Sequence, residues 1–217
     1  MERVNGLDVP RELEDACNPR RLAVLVYDMQ VGIMGQIADG PDIVRRVQDV
    51  LAVARGAAVR TVFVRHVTVP TRLMGASQLR MWRAWQRRDS AADVVSAFPP
   101  DAAHSQIVPE LEPGPDEAVF DKLTMSAFEG TPLDIVLRDC GVTAVAVVGV
   151  ALEVGIEPTV RHAADLGYVP IVVRDACGAG DTEAGARSLA ALQFAGDAFI
   201  TDCAGFAAAV AVHGGAA

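Results

Sequence analysis

Six short runs of apolar residues recur along the chain: LAVLVYD at 22–28, VRTVFV at 59–64, EAVFD at 117–121, AVAVVGV at 144–150, VPIVVRD at 169–175 and AFIT at 198–201. Most are apolar without the alternation of a half-exposed strand, which is how strands covered on both faces read. The stretches between them have helical character. Residues 41–57 start at Pro41 and place Ile43, Val47, Val50, Leu51 and Ala54 on one face. Further helices are expected at 76–88, at 132–140 after Thr131, at 156–166 before Gly167, and at 182–195 between Asp181 and Gly196. Strands alternating with helices specify right-handed crossovers and a parallel sheet. The expected fold is therefore α/β: three layers, α/β/α, around a six-stranded, mostly parallel, Rossmann-like sheet.

A chain of 217 residues that is 51% hydrophobic and 22% charged can bury a full core. Residues 1–20 read as an N-terminal arm and 21–217 as one domain. The net charge of −9 argues against a nucleic-acid partner, and Arg80, Arg83, Arg87 and Arg88 form the one local basic cluster. The start of the chain lacks the apolar core of a signal peptide, and no uncharged apolar run reaches membrane-spanning length. Cys17, Cys140, Cys177 and Cys203 are widely spaced, without a CxxC pair or histidines at zinc spacing. Free thiols in a reducing cytoplasm are expected, with no metal, no cofactor and no membrane partner. The connection 67–116 is too long for a plain crossover and carries both tryptophans, which marks it as a lid or binding loop.

Ligands of open parallel sheets bind outside the carboxyl ends of the strands. That rule selects Asp28 with Gln30, His66, Lys122 and the segment Gly149 to Gly155. Asp28 is a candidate acid or base. Lys122, reaching it from a neighbouring strand end, would set its ionisation. The loop GVALEVG runs straight into a helix, whose first backbone N–H groups can hold a polarised oxygen. Neither a G-x-G-x-x-G turn nor an acidic cluster follows the first strand, so dinucleotide-binding and receiver-type readings are set aside.

Four motifs in consistent order resemble the isochorismatase-like hydrolases, which include cysteine amidases and true isochorismatases. They are VLVYDMQ with Asp28, FDKLTMSAFEGTPLD with Lys122 and the Ser126–Ala127–Phe128 segment, VVGVALEVGIEPTVRHAADLGY, and DAC after the fifth run. The resemblance implies the isochorismatase fold, a small-molecule substrate, a homodimer or higher homo-oligomer, and a non-proline cis peptide at Val150–Ala151. With Thr159 and Arg161 on the family's threonine and arginine, Gly155 falls where the amidases carry their nucleophilic cysteine.

Loss of the thiol removes the acyl-enzyme route. A glycine there resembles the isochorismatase branch, whose aspartic acid protonates a vinyl ether before water adds, and would leave room for a bulkier substrate or a water. However, Met125, His66 and Ala151 stand where that branch carries a tyrosine, a glutamine and a tyrosine. Three readings follow. One is a thiol-independent hydrolase of a small ether, amide or imide through Asp28, Lys122 and water. The second is a binding protein that has lost the chemistry, and the third is a cysteine hydrolase deprived of its nucleophile. The substrate-binding candidates are Gln30, His66, Trp82, Trp85, Phe128, Val150 and Ala151. The two tryptophans and Phe128 would form an apolar wall, and Arg80 and Arg83 would meet a substrate carboxylate. Arg161 is expected to bond carbonyls or carboxylates, and His162 to be exposed.

Overall fold

A computed structural model describes residues 1–213. The chain opens with an antiparallel hairpin, β1 (Glu2–Val4) and β2 (Leu7–Val9), and a one-turn helix α1 (Leu13–Ala16). Both hairpin strands are exposed, but Ala16 and Cys17 enter the main core, so the segment read as an arm is partly anchored. There follow β3 (Leu22–Tyr27), α2 (Val31–Met34), α3 (Gly40–Gly56), β4 (Arg60–His66), α4 (Ala76–Trp85), β5 (Ala118–Lys122) and α5 (Leu133–Asp139). The last part holds β6 (Ala144–Gly149), α6 (Glu157–Asp165), β7 (Val169–Cys177), α7 (Thr182–Ala195), β8 (Phe199–Thr201) and α8 (Cys203–Ala211).

The six strands from β3 onward form one sheet in the order β5-β4-β3-β6-β7-β8, and every neighbouring pair is parallel. Each apolar run lies within one or two residues of its strand. The residues of β3 divide between two cores. Leu22, Val24 and Val26 face α3 and α8, while Ala23, Leu25 and Tyr27 face α5, α6 and α7. This is the three-layer arrangement. Local chemistry sets the helix ends: the Asp181 carboxylate accepts from the N–H of Ala184 at 2.8 Å, and Gly196 closes α7 with φ +70°. The segment 204–212 is rich in alanine. It forms most of α8, and its Phe206, Ala209 and Val210 are buried in this chain's own core.

The chain builds outward from β3 to β4 and β5, then returns to the other side of β3 for β6. Strand order therefore reverses between β3 and β6, and the crevice lies above their carboxyl ends. The long connection from β4 to β5 carries α4 and four short 3₁₀ turns and closes over that end of the sheet. Its α4 stops at Trp85, short of the expected residue 88, and Arg87 turns the chain with φ +51°. Among the described residues no helix is long and apolar enough to cross a membrane.

Gly149, the last residue of β6, has φ +121°, and a Cβ there would lie 2.1 Å from the Tyr27 carbonyl oxygen of the paired strand. Both the backbone conformation and the space demand glycine. Gly149→Ala is expected to cost roughly 2–4 kcal/mol of unfolding free energy, measured by urea denaturation. A loss under about 0.5 kcal/mol, the size of an ordinary surface change, would contradict this account.

Candidate active site

At the reversal point Asp28 directly follows β3 with φ +50°, in the left-handed region that aspartate tolerates better than most residues. Its Oδ2 accepts from the ammonium of Lys122 at 2.8 Å, while Oδ1 is buried and has no hydrogen-bond partner. The lysine comes from β5. This strand was expected to neighbour β3, but β4 lies between them, so the lysine side chain spans to the second strand over. Lys122 is buried; it also donates to the Thr124 carbonyl at 3.2 Å and lies over the Tyr27 ring, 4.2 Å from its centroid. Burial raises the Asp28 carboxyl from its ordinary range to about 6, against the opposing pull of Lys122. Burial likewise lowers Lys122, with Asp28 opposing.

Above this pair lies a cavity of about 780 Å³. Val150 and Ala151, joined by the expected cis peptide, line one side with Met125. Trp82, Trp85 and Phe98 line the other side, and the two indoles meet edge to face with centroids 5.2 Å apart. Trp82 is buried and Trp85 is 49% exposed, which puts it at the rim. His66 lies 5.8 Å from Trp82 and 6.2 Å from Phe98 between ring centroids, and its Nε2 has no partner. Burial, with Lys122 nearby, lowers its imidazole to about 3, so it is neutral.

Other candidates lie elsewhere. Gln30 is fully buried and spent on structure: its amide donates to the carbonyls of His66 at 2.9 Å and Ser105 at 2.8 Å, and its oxygen accepts from the His66 N–H at 2.6 Å. It ties β4 to the overlying connection and does not reach the cavity. Phe128 stacks on Tyr168 at 5.6 Å beneath α6 and forms no part of the cavity wall. The third aromatic on that wall is Phe98, a residue that no sequence pattern singles out. Arg80 and Arg83 are exposed and away from the cavity, whereas Arg87 lines it. His162 is half-buried: its Nδ1 lies 2.8 Å from the Ser126 hydroxyl. Arg161 bonds Glu157 and Asp197, as expected.

Gly155 lies in a π-helical turn (Leu152–Ile156) leading into α6, beside Tyr27. The open space expected above it does not exist. A Cβ on Gly155 would fall 2.0 Å from the Tyr27 hydroxyl oxygen, which fills that volume. The N–H groups of Val154, Gly155 and Ile156, expected to face a polarised oxygen, converge on the Ala151 carbonyl at 3.3, 3.0 and 3.1 Å. The Tyr27 hydroxyl donates to the Met125 carbonyl. Tyr27 was missed in the sequence. The available signal was a large aromatic directly before Asp28 in a run otherwise of alanine, valine and leucine.

The isochorismatase domain model matches residues 22–203, and the chain belongs to that family of hydrolases. An uncharacterised isochorismatase family protein of Bacillus subtilis is 36% identical over 72 residues, 33% of this chain and 38% of that relative. The aligned part thus spans well under half of the relative's length. Among solved structures, a cysteine hydrolase from Pseudomonas syringae pv. phaseolicola superposes with a TM-score of 0.77 at 26% identity, covering 90% of this chain and 95% of that one. An isochorismatase family protein from Burkholderia thailandensis gives a TM-score of 0.71 at 26% identity, covering 88% and 96%.

The Asp28 value sets the sign of a pH effect. Its folded-state value of about 6 lies above the ordinary 3.8, so the fold holds this proton more tightly than the unfolded chain. Burying the charged carboxylate thus weakens the fold increasingly as pH rises from about 4 to about 6, and fully above that. Lys122→Met removes the partner cation. It is expected to lower unfolding free energy by about 3–5 kcal/mol at pH near 8, and by clearly less near pH 5, where the carboxyl can protonate. Urea unfolding at the two pH values tests this; equal losses would refute it.

Proposed function

We propose that this protein is a thiol-independent hydrolase. Asp28, held and tuned by Lys122, acts as general acid or base with a water on a small, uncharged substrate bearing an ether, amide or imide. The observation that carries this reading is the divided role of the Asp28 carboxylate. One oxygen is fixed by Lys122 at 2.8 Å, the other is buried with no partner, and the residue itself lines the cavity. An unpaired buried carboxylate oxygen is costly unless a ligand or water meets it. A value of about 6 also leaves the acid form well populated at mildly acidic pH, which suits proton transfer.

The cavity chemistry favours an uncharged ligand. The Asp28–Lys122 pair sums to zero when both are ionised, and the His66 imidazole is neutral. Among the described residues Arg87 is the one cationic side chain along the wall. A dicarboxylate such as isochorismate would bring negative charge toward Asp28 with little to offset it. Met125, His66 and Ala151, all on the cavity wall, support the same exclusion. The tryptophan, phenylalanine and methionine surfaces instead suit an apolar ring or chain.

The test is a panel of small vinyl ethers, amides and cyclic imides, assayed with the wild-type chain and Asp28→Asn. Turnover of at least one uncharged substrate is expected, with kcat falling roughly 10²–10⁴-fold in Asp28→Asn. If Asp28 is the acid, kcat should fall as pH rises through about 6; a base would give the opposite slope. The second reading is a binding protein without turnover, and the engagement of the residue 154–156 amides with Ala151 favours it over covalent catalysis. Both tryptophans line the cavity, so a ligand-dependent change in tryptophan fluorescence without turnover in any member of the panel would select it.

A further inference from the structure

Glycines near the sheet ends differ in why they are glycine. Gly149 has a positive φ; Gly155 does not. The backbone at 155 therefore accepts an L residue, and the three nearest atoms that a Cβ would meet all belong to one side chain. A Cβ at 155 would lie 2.0 Å from the Tyr27 hydroxyl oxygen, 2.4 Å from Cζ and 2.5 Å from Cε1. That ring has little freedom to yield. It is 1% exposed and packed in the core beneath α5, α6 and α7. Its hydroxyl donates to the Met125 carbonyl, and Lys122 lies on its face. The hydroxyl of Thr159, which donates to the Gly155 carbonyl at 2.7 Å and accepts from the Ala127 N–H at 3.1 Å, fixes the turn from below.

We propose that Tyr27 decides which chemistry this pocket can host: with its phenol in place no side chain fits at position 155, and with the phenol removed the same frame accepts a thiol beside Asp28 and Lys122. This rests on the reading above only in taking the cavity as the active site; the steric exclusion stands without it. The phenol is not itself a substitute nucleophile. Burial and the adjacent Asp28 charge raise its ionisation well above the ordinary tyrosine range, so it stays protonated. Restoring a thiol at 155 alone therefore cannot restore covalent chemistry, because the added side chain and the phenol compete for one volume. Tyr27 and Gly155 form a single unit and must change together.

A double-mutant cycle on the full chain tests this, using Gly155→Cys and Tyr27→Val singly and together. In the wild-type background, Gly155→Cys is expected to lower Tm by roughly 3–10 °C, as overpacking does. In the Tyr27→Val background the same substitution should leave Tm unchanged or raise it, because the thiol fills part of the vacated space. Equal losses in both backgrounds overturn the steric exclusion. If Gly155→Cys does not fold with Tyr27 present, Gly155→Ala takes its place in that arm under the same criterion. The second measurement is alkylation by iodoacetamide, in which a thiolate displaces iodide, with sites assigned by peptide mass mapping. In the doubly substituted protein, position 155 should be labelled at least as fast as exposed Cys140. A folded double variant in which position 155 stays unlabelled refutes the thiol-accepting frame. Neither measurement uses a substrate, so failure of the hydrolase reading and failure of this one are separately visible.

Discussion

A lysine ammonium in a protein interior costs several kcal/mol unless its charge is met. Lys122 is met on three sides: by the Asp28 carboxylate, the Thr124 carbonyl and the face of the Tyr27 ring. Two of these contacts lie at the end of β3 and one in the loop after β5. Asp28 fixes the end of β3 and Thr124 the loop after β5, while the ring lies where β3 faces α6. The pair joins two strands that do not touch, across β4. Removing either member would leave an uncompensated charge under the cavity. The pair thus ties the floor of the cavity together, and Lys122 offsets part of the rise that burial imposes on the Asp28 carboxyl.

The same end of the sheet shows how tightly packing can specify residue types. Tyr27 is paired with Gly149 in register, and its carbonyl excludes a side chain there. Its phenol excludes a side chain at Gly155. One residue therefore dictates two glycines, one through its backbone and one through its ring. Both glycines fall within the matched family domain, yet their physical reasons differ.

Much of the fold was legible because its cause is local and repetitive. Strands covered on both faces must be apolar throughout, and each of the six runs became a strand of the sheet. The meeting of Asp28 and Lys122 was readable from their places at the carboxyl ends of strands. What the sequence hid was distance. Gln30 and Phe128 stand beside candidate residues in the chain, but one is consumed by backbone hydrogen bonds and the other stacks beneath α6. Phe98 and Arg87 lie in the connection from β4 to β5, where no periodicity forecasts which side chains turn inward. Tyr27 was in plain view, but its meaning depends on a residue 128 positions away (Gly155).

The cavity draws its parts from two sources. Asp28 and Lys122 stand at the ends of sheet strands. The aromatic wall of Trp82, Trp85 and Phe98 comes from one continuous insertion between β4 and β5. Exchanging that segment would alter the shape offered to a ligand while leaving the proton-handling groups untouched. The cavity is thus modular: its buried ion pair comes with the scaffold, and its aromatic wall comes with one connecting segment.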